Sequence, residues 1–454
     1  MRSVFISLWI FALALLTACG GSGTSGAAPG LQAPALSADR LLALAQAGSA
    51  GKIKHVVIIF QENRSPDNLF HGLPGADIAN SGLDKNGDAI ALHEIPMVED
   101  YDLGHDHPAF VNAYDNGKMD GASLDQTICV VGGPECEKTI PANPQYAYVA
   151  RSDIQEYFSM AEQYVFGDRM FQTNEGPSYP AHQFIVSGTS APEVGSDLFV
   201  SENPLLGTGC TAPSNASVAL IDPQGDESQK TYPCFEHQTL MDLLDANALP
   251  WKYYTNQVDS IWNAPNSIRH IRLGEDWSKV IIPETLVLKD IPNGDLPAVT
   301  WVNPNSPDSD HPGVNNGTGP SWVASVVNAI GESPFWDSTA IFITWDDWGG
   351  WYDHVAPKII NSYEYGLRVP LIVVSPYAKR GYVSHVTHDF GSILKFSEKT
   401  FGLGSLGYAD AVADDLFDCF NFKQSPRPFV KIKTKYDAQY LIQHRGPSLP
   451  VDNS

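Results

Sequence analysis

Two pairs of oxygen-bearing residues each follow an apolar run directly. Glu62 and Asn63 come after IKHVVIIF, and Asp346 and Asp347 come after AIFITW. Adjacent residues on a regular strand point to opposite faces, so both members of a pair can reach one ion only where the strand turns. Carboxylate and amide oxygens suit Mg²⁺, Ca²⁺ or Mn²⁺, and Zn²⁺ stays possible. Either pair alone is better explained by a structural role, a capping strand end for Glu62-Asn63 or a polar turn for Asp346-Asp347, but together they predict one shared divalent metal site.

A serine between two prolines is the first candidate nucleophile. Ser178 lies in the segment TNEGPSYPAH, where a loop could display its hydroxyl. Beside a metal ion the serine alkoxide is stabilised and the phosphoryl oxygens are neutralised, so the oxygen becomes able to attack phosphorus. Away from a metal the same residue would be an ordinary turn serine. Ser65, in ENRSPDN, is the competing candidate.

Three of the thirteen histidines lie in polar segments that suit a catalytic imidazole. They are His105 in DLGHDH, His311 in DSDHPG and His354 in YDHV. Cleavage of a phosphate ester requires a proton for the leaving oxygen, and imidazole is the natural donor near neutral pH. Most histidines of any chain are structural or exposed, so these three are candidates only.

The elements that must position these residues alternate along the chain. Strand-like apolar runs occupy residues 53–60, 298–302, 340–345 and 369–375, and helical patterns occupy residues 237–247, 322–330 and 392–401. The alternation predicts an α/β fold, in which ligands collect beyond the carboxyl ends of the strands. Residues 80–144 and 193–233 are rich in Gly, Pro, Asn and Asp, and we expect them to form long covering loops.

The N-terminal residues predict export. Arg2 precedes an apolar run, residues 4–16, that is too short for a stable bilayer span. The following LTAC-GGSG resembles a bacterial lipoprotein signal with Cys19 as the lipidated residue, and a soluble secreted protein is the alternative. The expected location is therefore the periplasmic face of a bacterial membrane, or the exterior. We expect a signal peptide over 1–18, a lipidated N-terminus and flexible linker over 19–50, a catalytic domain over 51–430 and a C-terminal tail over 431–454.

The net charge of the chain narrows the classes of molecule that it could bind. The formal net charge of −24 disfavours binding to nucleic acids or anionic lipid surfaces. A phosphate-bearing substrate would therefore need a local positive centre, which a metal ion supplies.

An oxidising compartment permits two local disulfides and leaves one buried thiol. These are Cys129 with Cys136, Cys210 with Cys234, and the leftover Cys419.

Taken in order, these motifs resemble the bacterial phosphoesterase family that includes non-haemolytic-type phospholipases C and a respiratory-burst-inhibiting acid phosphatase. The matching segments are KHVVIIFQENRSPDNLFHG, residues 105–121 ending in NGKMDG, GPSYP, SDHPG, TWDDWGGWYDHV and VTHDFGSILKFSEKTFGL. The resemblance implies a three-layer α/β/α sandwich of the alkaline-phosphatase-like type. It also implies one divalent metal ion held by Glu62, Asn63, Asp346, Asp347 and Ser178.

The same resemblance assigns catalytic roles. Ser178 would be the nucleophile, His105 and His311 would contact the phosphoryl group or the leaving oxygen, and His354 is a further candidate. Pro66 replaces the family's usual aromatic residue, and Ser178 together with the Asp346-Asp347 pair favours the acid phosphatase branch. The implied function is metal-dependent hydrolysis of phosphoric esters, either monoesters or phospholipids, through a covalent phospho-enzyme. The alternative is an exported lipoprotein that binds phosphorylated ligands without turnover.

Overall fold

The apolar run after residue 53 forms a central strand of a large sheet. The computed structural model describes residues 51–130 and 133–446, so the expected signal peptide and Cys19 lie outside the described residues. The strands are β1 (His55–Gln61), β2 (Ser81–Leu83), β3 (Ala89–Ala91), β4 (His93–Ile95), β5 (Tyr101–Leu103), β6 (Thr127–Cys129), β7 (Ala147–Val149), β8 (Val165–Gly167), β9 (Met170–Phe171), β10 (Phe199–Val200), β11 (Val218–Ile221), β12 (Gln229–Thr231), β13 (Trp251–Tyr254), β14 (Val280–Ile281), β15 (Val299–Val302), β16 (Thr339–Trp345), β17 (Leu371–Val374), β18 (Tyr382–Ser384) and β19 (His388–Asp389).

Eight strands form the main sheet in the order β14-β13-β15-β1-β16-β17-β8-β18. β17 runs antiparallel to both of its neighbours, and the remaining adjacent pairs are parallel. β1 and β16 are parallel neighbours in which Gln61 lies opposite Trp345. Both strands therefore end at the same level of the sheet, and Glu62-Asn63 and Asp346-Asp347 emerge side by side at one edge.

The described residues also form helices, and some of these cover the two faces of the sheet. The helices are α1 (Pro66–Leu69), α2 (His107–Tyr114), α3 (Gln155–Gln163), α4 (Ser178–Ser187), α5 (Leu240–Ala246), α6 (Arg269–Leu273), α7 (Val287–Asp290), α8 (Gly319–Gly331), α9 (Phe390–Phe401), α10 (Ala409–Val412) and α11 (Ala438–Gln443). On β1, the Phe60 ring lies 6.4 Å from that of Phe390 on α9. The next residue, Gln61, points the other way and donates from Nε2 to Gly319 O at the start of α8.

β16 repeats this alternation. Phe342 packs against Phe396 of α9 at 4.9 Å between ring centroids, whereas Trp345 packs against Tyr157 of α3 at 5.1 Å. Residues of opposite parity on a strand face opposite sides of the sheet, so α9 and α3 lie on different faces. The predicted three-layer α/β/α sandwich is confirmed, and burial of β1 and β16 on both faces explains their continuous apolar runs.

The predicted helices are present with somewhat different ends. The pattern at 392–401 belongs to α9, which begins two residues earlier because Asp389 and Ser392 form a capping box at its N-terminus. The segments expected to be loops differ more, since they contain α2 and the small sheets β2-β3, β5-β6 and β10-β11-β12. Strands of two to four residues are too short to produce a detectable period.

The cysteine pairing agrees with the sequence prediction. Cys129 bonds to Cys136, Cys210 bonds to Cys234, and Cys419 is a buried free thiol. At the other end of the described chain, Ile432 and Leu441 are buried against the main core. None of the helices in the described ranges is both long and apolar enough to cross a bilayer.

Candidate functional site

The ends of β1 and β16 are held together by hydrogen bonds. Asp346 N donates to Gln61 O at 3.1 Å, and Arg64 N donates to Asp347 O at 3.0 Å. Asn63 N donates to Asp346 Oδ1 at 3.1 Å. Asn63 has φ of +62°, in the left-handed region that asparagine tolerates better than most residues. This turn allows two adjacent side chains, Glu62 and Asn63, to lie in one cluster with Asp346 and Asp347.

Gly349 permits the close approach of the two strand-end loops. Its φ is +65°, and a Cβ at this position would lie 2.3 Å from Asn63 O. Its backbone N–H donates to Asp347 Oδ1 at 2.8 Å. A side chain here would therefore push apart the loops that carry the two residue pairs.

Ser178 lies at the start of a helix rather than within a loop. It is the first residue of α4, its side chain is fully buried, and Oγ donates to Asp347 Oδ2 at 3.2 Å. The competing serine has a structural role. Ser65 Oγ accepts from Asn68 N at the N-terminus of α1 and donates to Tyr352 O at 2.8 Å.

His182 joins the cluster although it was not selected from the sequence. It follows Ser178 by one helical turn, so both side chains lie on the same face of α4. Its Nε2 lies 3.3 Å from Glu62 Oε1 and 3.7 Å from Asp346 Oδ2. Burial lowers the pKa of the His182 imidazole to about 4, against an opposing effect of the Asp346 charge, so the ring is neutral at neutral pH. The Ser-x-x-x-His spacing indicates this neighbour only once the segment is known to be helical.

The cluster fits a hard divalent cation. Donor atoms of Glu62, His182 and Asp346 lie within 4.8 Å of one another, and all three residues are buried. Asn63 Oδ1 and Asp346 Oδ2 are buried and accept no hydrogen bond. Buried acceptors without a donor are costly unless another group binds them, and a cation is the natural complement.

The buried arginines Arg64 and Arg368 form ion pairs with other carboxylates. Arg64 pairs with Glu99 at 3.1 Å, and Arg368 pairs with Asp353 at 2.8 Å. His182 itself fits better as a donor to Glu62 than as a metal ligand. A ligating imidazole normally donates its second N–H to an acceptor, whereas His182 Nδ1 has no hydrogen-bond partner.

Two of the three predicted histidines face each other. The rings of His105 and His311 lie 6.0 Å apart. In each, Nδ1 donates to a backbone carbonyl, that of Leu103 at 2.6 Å and that of Pro312 at 2.8 Å. His105 Nε2 then accepts from Asn63 Nδ2 at 2.8 Å, which connects it to the cluster. His311 Nε2 is buried and has no hydrogen-bond partner, so it is available for a hydrogen bond with a ligand.

His354 lies in a different set of contacts. Its Nδ1 is 2.8 Å from Asp67 Oδ2 and its Nε2 is 3.1 Å from Asp77 Oδ1. Arg368 reaches Asp67 and Asp353 in the same network. Because both ring nitrogens face carboxylates, the structure places His354 in an ion-pair network that braces the loops, rather than beside Ser178.

This network predicts a pH dependence of stability. Burial, the largest single influence, lowers the pKa of His354, but Asp67 and Asp353 together outweigh it and raise the pKa to about 9. The stabilisation by the charged ring is therefore complete below the unfolded pKa of about 6.5 and is lost as the pH rises through 9. We expect His354→Gln to lower the free energy of unfolding in urea at about pH 6 far more than at about pH 10. An equal loss at both values would contradict this role.

Comparison with known proteins finds similarity over most of the chain. The model of the Phosphoesterase family matches residues 53–404. Non-hemolytic phospholipase C of Pseudomonas aeruginosa is 24% identical, over 87% of this chain and 61% of its own length. Non-hemolytic phospholipase C of Burkholderia pseudomallei is 26% identical, over 88% of this chain and 64% of its own length. The chain thus spans about three fifths of the length of these relatives.

A solved structure of an alkaline phosphatase superfamily protein from Vibrio parahaemolyticus also aligns with the chain. It is 11% identical, covers 83% of this chain and 79% of its own, and has a TM-score of 0.37. The family model, by contrast, covers the central strand, Ser178 and both strand-end pairs in a single match. The chain belongs to the Phosphoesterase family.

Proposed function

We propose that this protein hydrolyses phosphoric esters with the help of one divalent metal ion and that Ser178 is the nucleophile. The observation that carries the proposal is the position of the Ser178 hydroxyl. It is buried at the start of α4, 3.2 Å from Asp347 Oδ2, where the two strand ends gather acidic and amide side chains. A hydroxyl held against such a cluster is placed for attack on a phosphorus atom whose oxygens are neutralised by a cation.

The proposed metal ligands are Glu62, Asn63, Asp346, Asp347 and Ser178. When bound, the ion would neutralise charge on the phosphoryl oxygens and favour the serine alkoxide. Asp347 Oδ2 accepts a hydrogen bond from the Ser178 hydroxyl and so orients the oxygen before attack. His182 supports Glu62 by donating from Nε2. The ion could be Ca²⁺, Mg²⁺, Mn²⁺ or Zn²⁺.

The reaction then has two displacements. Ser178 Oγ forms a bond to phosphorus while the bond to the leaving oxygen breaks, and water later cleaves the resulting phosphoserine. His311, whose buried Nε2 has no hydrogen-bond partner, would give a proton to the leaving oxygen and regain one from the attacking water, while the Ser178 proton passes to solvent and returns when the phosphoserine is cleaved. His105 holds the Asn63 side chain through Nε2. Most of the acceleration would come from positioning and electrostatics.

Two substrate classes fit this chemistry. The relatives are named phospholipases C, which favours a phospholipid diester, whereas Ser178 and the Asp346-Asp347 pair favour a phosphomonoester. We propose an exported protein, anchored through Cys19 or secreted, that meets its substrate outside the cytoplasm. The net charge of −24 argues against nucleic acid as a substrate.

A substrate panel tests the proposal. The purified protein is incubated with p-nitrophenyl phosphate or with phosphatidylcholine vesicles, each with Ca²⁺, Mg²⁺, Mn²⁺ or Zn²⁺. We expect metal-dependent release of p-nitrophenol, or of diacylglycerol and phosphocholine, and a phosphorylated Ser178 peptide after acid quenching. Binding of phosphate esters without any turnover across the panel would instead support the alternative, a lipoprotein that only binds phosphorylated ligands.

A further inference from the structure

A second cluster of metal-binding side-chain types lies where β19 meets the segment after α10. His388, Asp418 and Cys419 each offer one donor atom, and these atoms lie within 4.8 Å of one another. The side chain of His388 is completely buried, Cys419 is also completely buried, and the Asp418 side chain is 22% exposed. The proposed hydrolysis uses none of these residues.

The separations in this cluster match those of a tetrahedral metal site. Asp418 Oδ1 lies 3.5 Å from His388 Nε2 and 3.5 Å from Cys419 Sγ. Zinc bonds of about 2.0–2.1 Å to nitrogen or oxygen and about 2.3 Å to sulfur place neighbouring ligand atoms roughly 3.3–3.7 Å apart. Two edges of a tetrahedron are therefore already present.

The second ring nitrogen of His388 supports the same interpretation. Nδ1 lies 3.0 Å from Asp414 Oδ1, an ion-pair contact whose geometry does not make a hydrogen bond, while Nε2 faces the other two donors. A carboxylate this close to the second ring nitrogen increases the basicity of the imidazole. Ser384 Oγ lies 3.2 Å from Nε2 and donates to Asp418 Oδ2, so it connects two of the three donors.

We propose that His388, Asp418 and Cys419 bind a zinc-type transition ion, with the Asp414 carboxylate beside the second imidazole nitrogen. Nitrogen, oxygen and sulfur donors together favour Zn²⁺ or Co²⁺ over Mg²⁺ or Ca²⁺. This site is separate from the cluster around Ser178, and the inference does not depend on the proposed function. The ion would fasten β19 to the 3-10 turn Phe417–Cys419.

Binding changes the protonation of the thiol. Cys419 Sγ donates to Asp418 Oδ1 at 3.5 Å, so the sulfur carries a proton without an ion. On binding, this proton leaves to solvent and the thiolate takes its place at the metal. Occupancy should therefore increase with pH.

Cobalt titration tests the site because thiolate ligands give Co²⁺ a charge-transfer absorption that oxygen ligands do not. The chain has six cysteines, so Cys19→Ala leaves Cys419 as the one thiol outside the two disulfides. In this background we expect the absorption to saturate at one equivalent. It should disappear in Cys419→Ser and His388→Gln and persist in His385→Gln, which alters an exposed histidine nearby.

Two further measurements separate loss of the site from loss of folding. Asp418→Asn changes a partly exposed ligand and should weaken Co²⁺ binding by at least about tenfold while the protein stays folded by circular dichroism. Zn²⁺ should still raise the Tm of Asp346→Asn, which alters the other proposed metal site. Absence of a thiolate absorption in the folded Cys19→Ala protein, or unchanged Co²⁺ affinity in folded Asp418→Asn, overturns the proposal.

Discussion

Ser178→Ala is expected to lower hydrolysis of a chromogenic phosphate ester by about 10³-fold or more. The substitution removes the oxygen that forms the bond to phosphorus, and Asp347 loses only one hydrogen-bond donor. Substrate binding should change much less than kcat, because the side chain acts on phosphorus and not on the rest of the ester. Steady-state kinetics and the loss of the phosphorylated peptide measure both effects.

Ser65→Ala is the matched control for this prediction. Ser65 caps α1 through Asn68 N and donates to Tyr352 O, so its loss should reduce the free energy of unfolding by about 1 kcal/mol and leave kcat near the wild-type value. Ser178→Thr, which keeps a hydroxyl at the start of α4, should retain measurable turnover. Near wild-type hydrolysis by Ser178→Ala would refute the nucleophile assignment, and a large loss of kcat in Ser65→Ala would point to the other serine.

Removal of the metal, or of Asp346 as its ligand, is expected to have an effect of similar size. Asp346 Oδ2 is buried without a hydrogen-bond donor, and Asp346→Asn keeps the shape of the side chain while removing its charge. The variant should therefore resemble the chelated wild-type protein, with hydrolysis lowered by about 10²-fold or more. An activating ion at about 100 times its Kd should stabilise the wild-type fold by about 2.7 kcal/mol.

Thermal denaturation with and without the activating ion distinguishes a lost ligand from general damage. Asp353→Asn is the control, since Asp353 is also a buried carboxylate but pairs with Arg368. We expect Asp353→Asn to have a lower Tm and to keep the increase produced by the ion. Asp346→Asn should lose that increase. If chelation leaves wild-type hydrolysis intact, the metal-dependent mechanism is wrong even if Ser178 is the nucleophile.

Features that depend on local pattern were predictable from the sequence. Continuous apolar runs predicted β1 and β16, because a strand covered on both faces has no polar positions. The polar pairs that follow them were therefore expected at one edge of the sheet. The two disulfides were predictable for a similar reason, since each joins cysteines that are close along the chain. The direction of β17 was not, because an apolar run carries no information about strand polarity.

Contacts between distant segments required the folded chain. His182 becomes a neighbour of Glu62 only because α4 begins at Ser178 and turns both side chains toward the sheet edge. His354, although it lies in the same motif as Asp347, is drawn to Asp67 and Asp77. Ser178 and its competitor Ser65 were both candidate nucleophiles in the sequence, and only the fold gives them different hydrogen-bond partners.

The pairs Glu62-Asn63 and Asp346-Asp347 show most clearly which features the sequence predicts and which depend on the tertiary structure. Their residue types and their positions after apolar runs were enough to predict an oxygen-rich edge of the sheet. Side-chain chemistry and strand burial both depend on the local sequence. Which atoms meet there depends on the left-handed turn at Asn63 and the close approach at Gly349. Those are consequences of packing β1 beside β16, and packing between residues far apart in the chain is decided only by the tertiary structure.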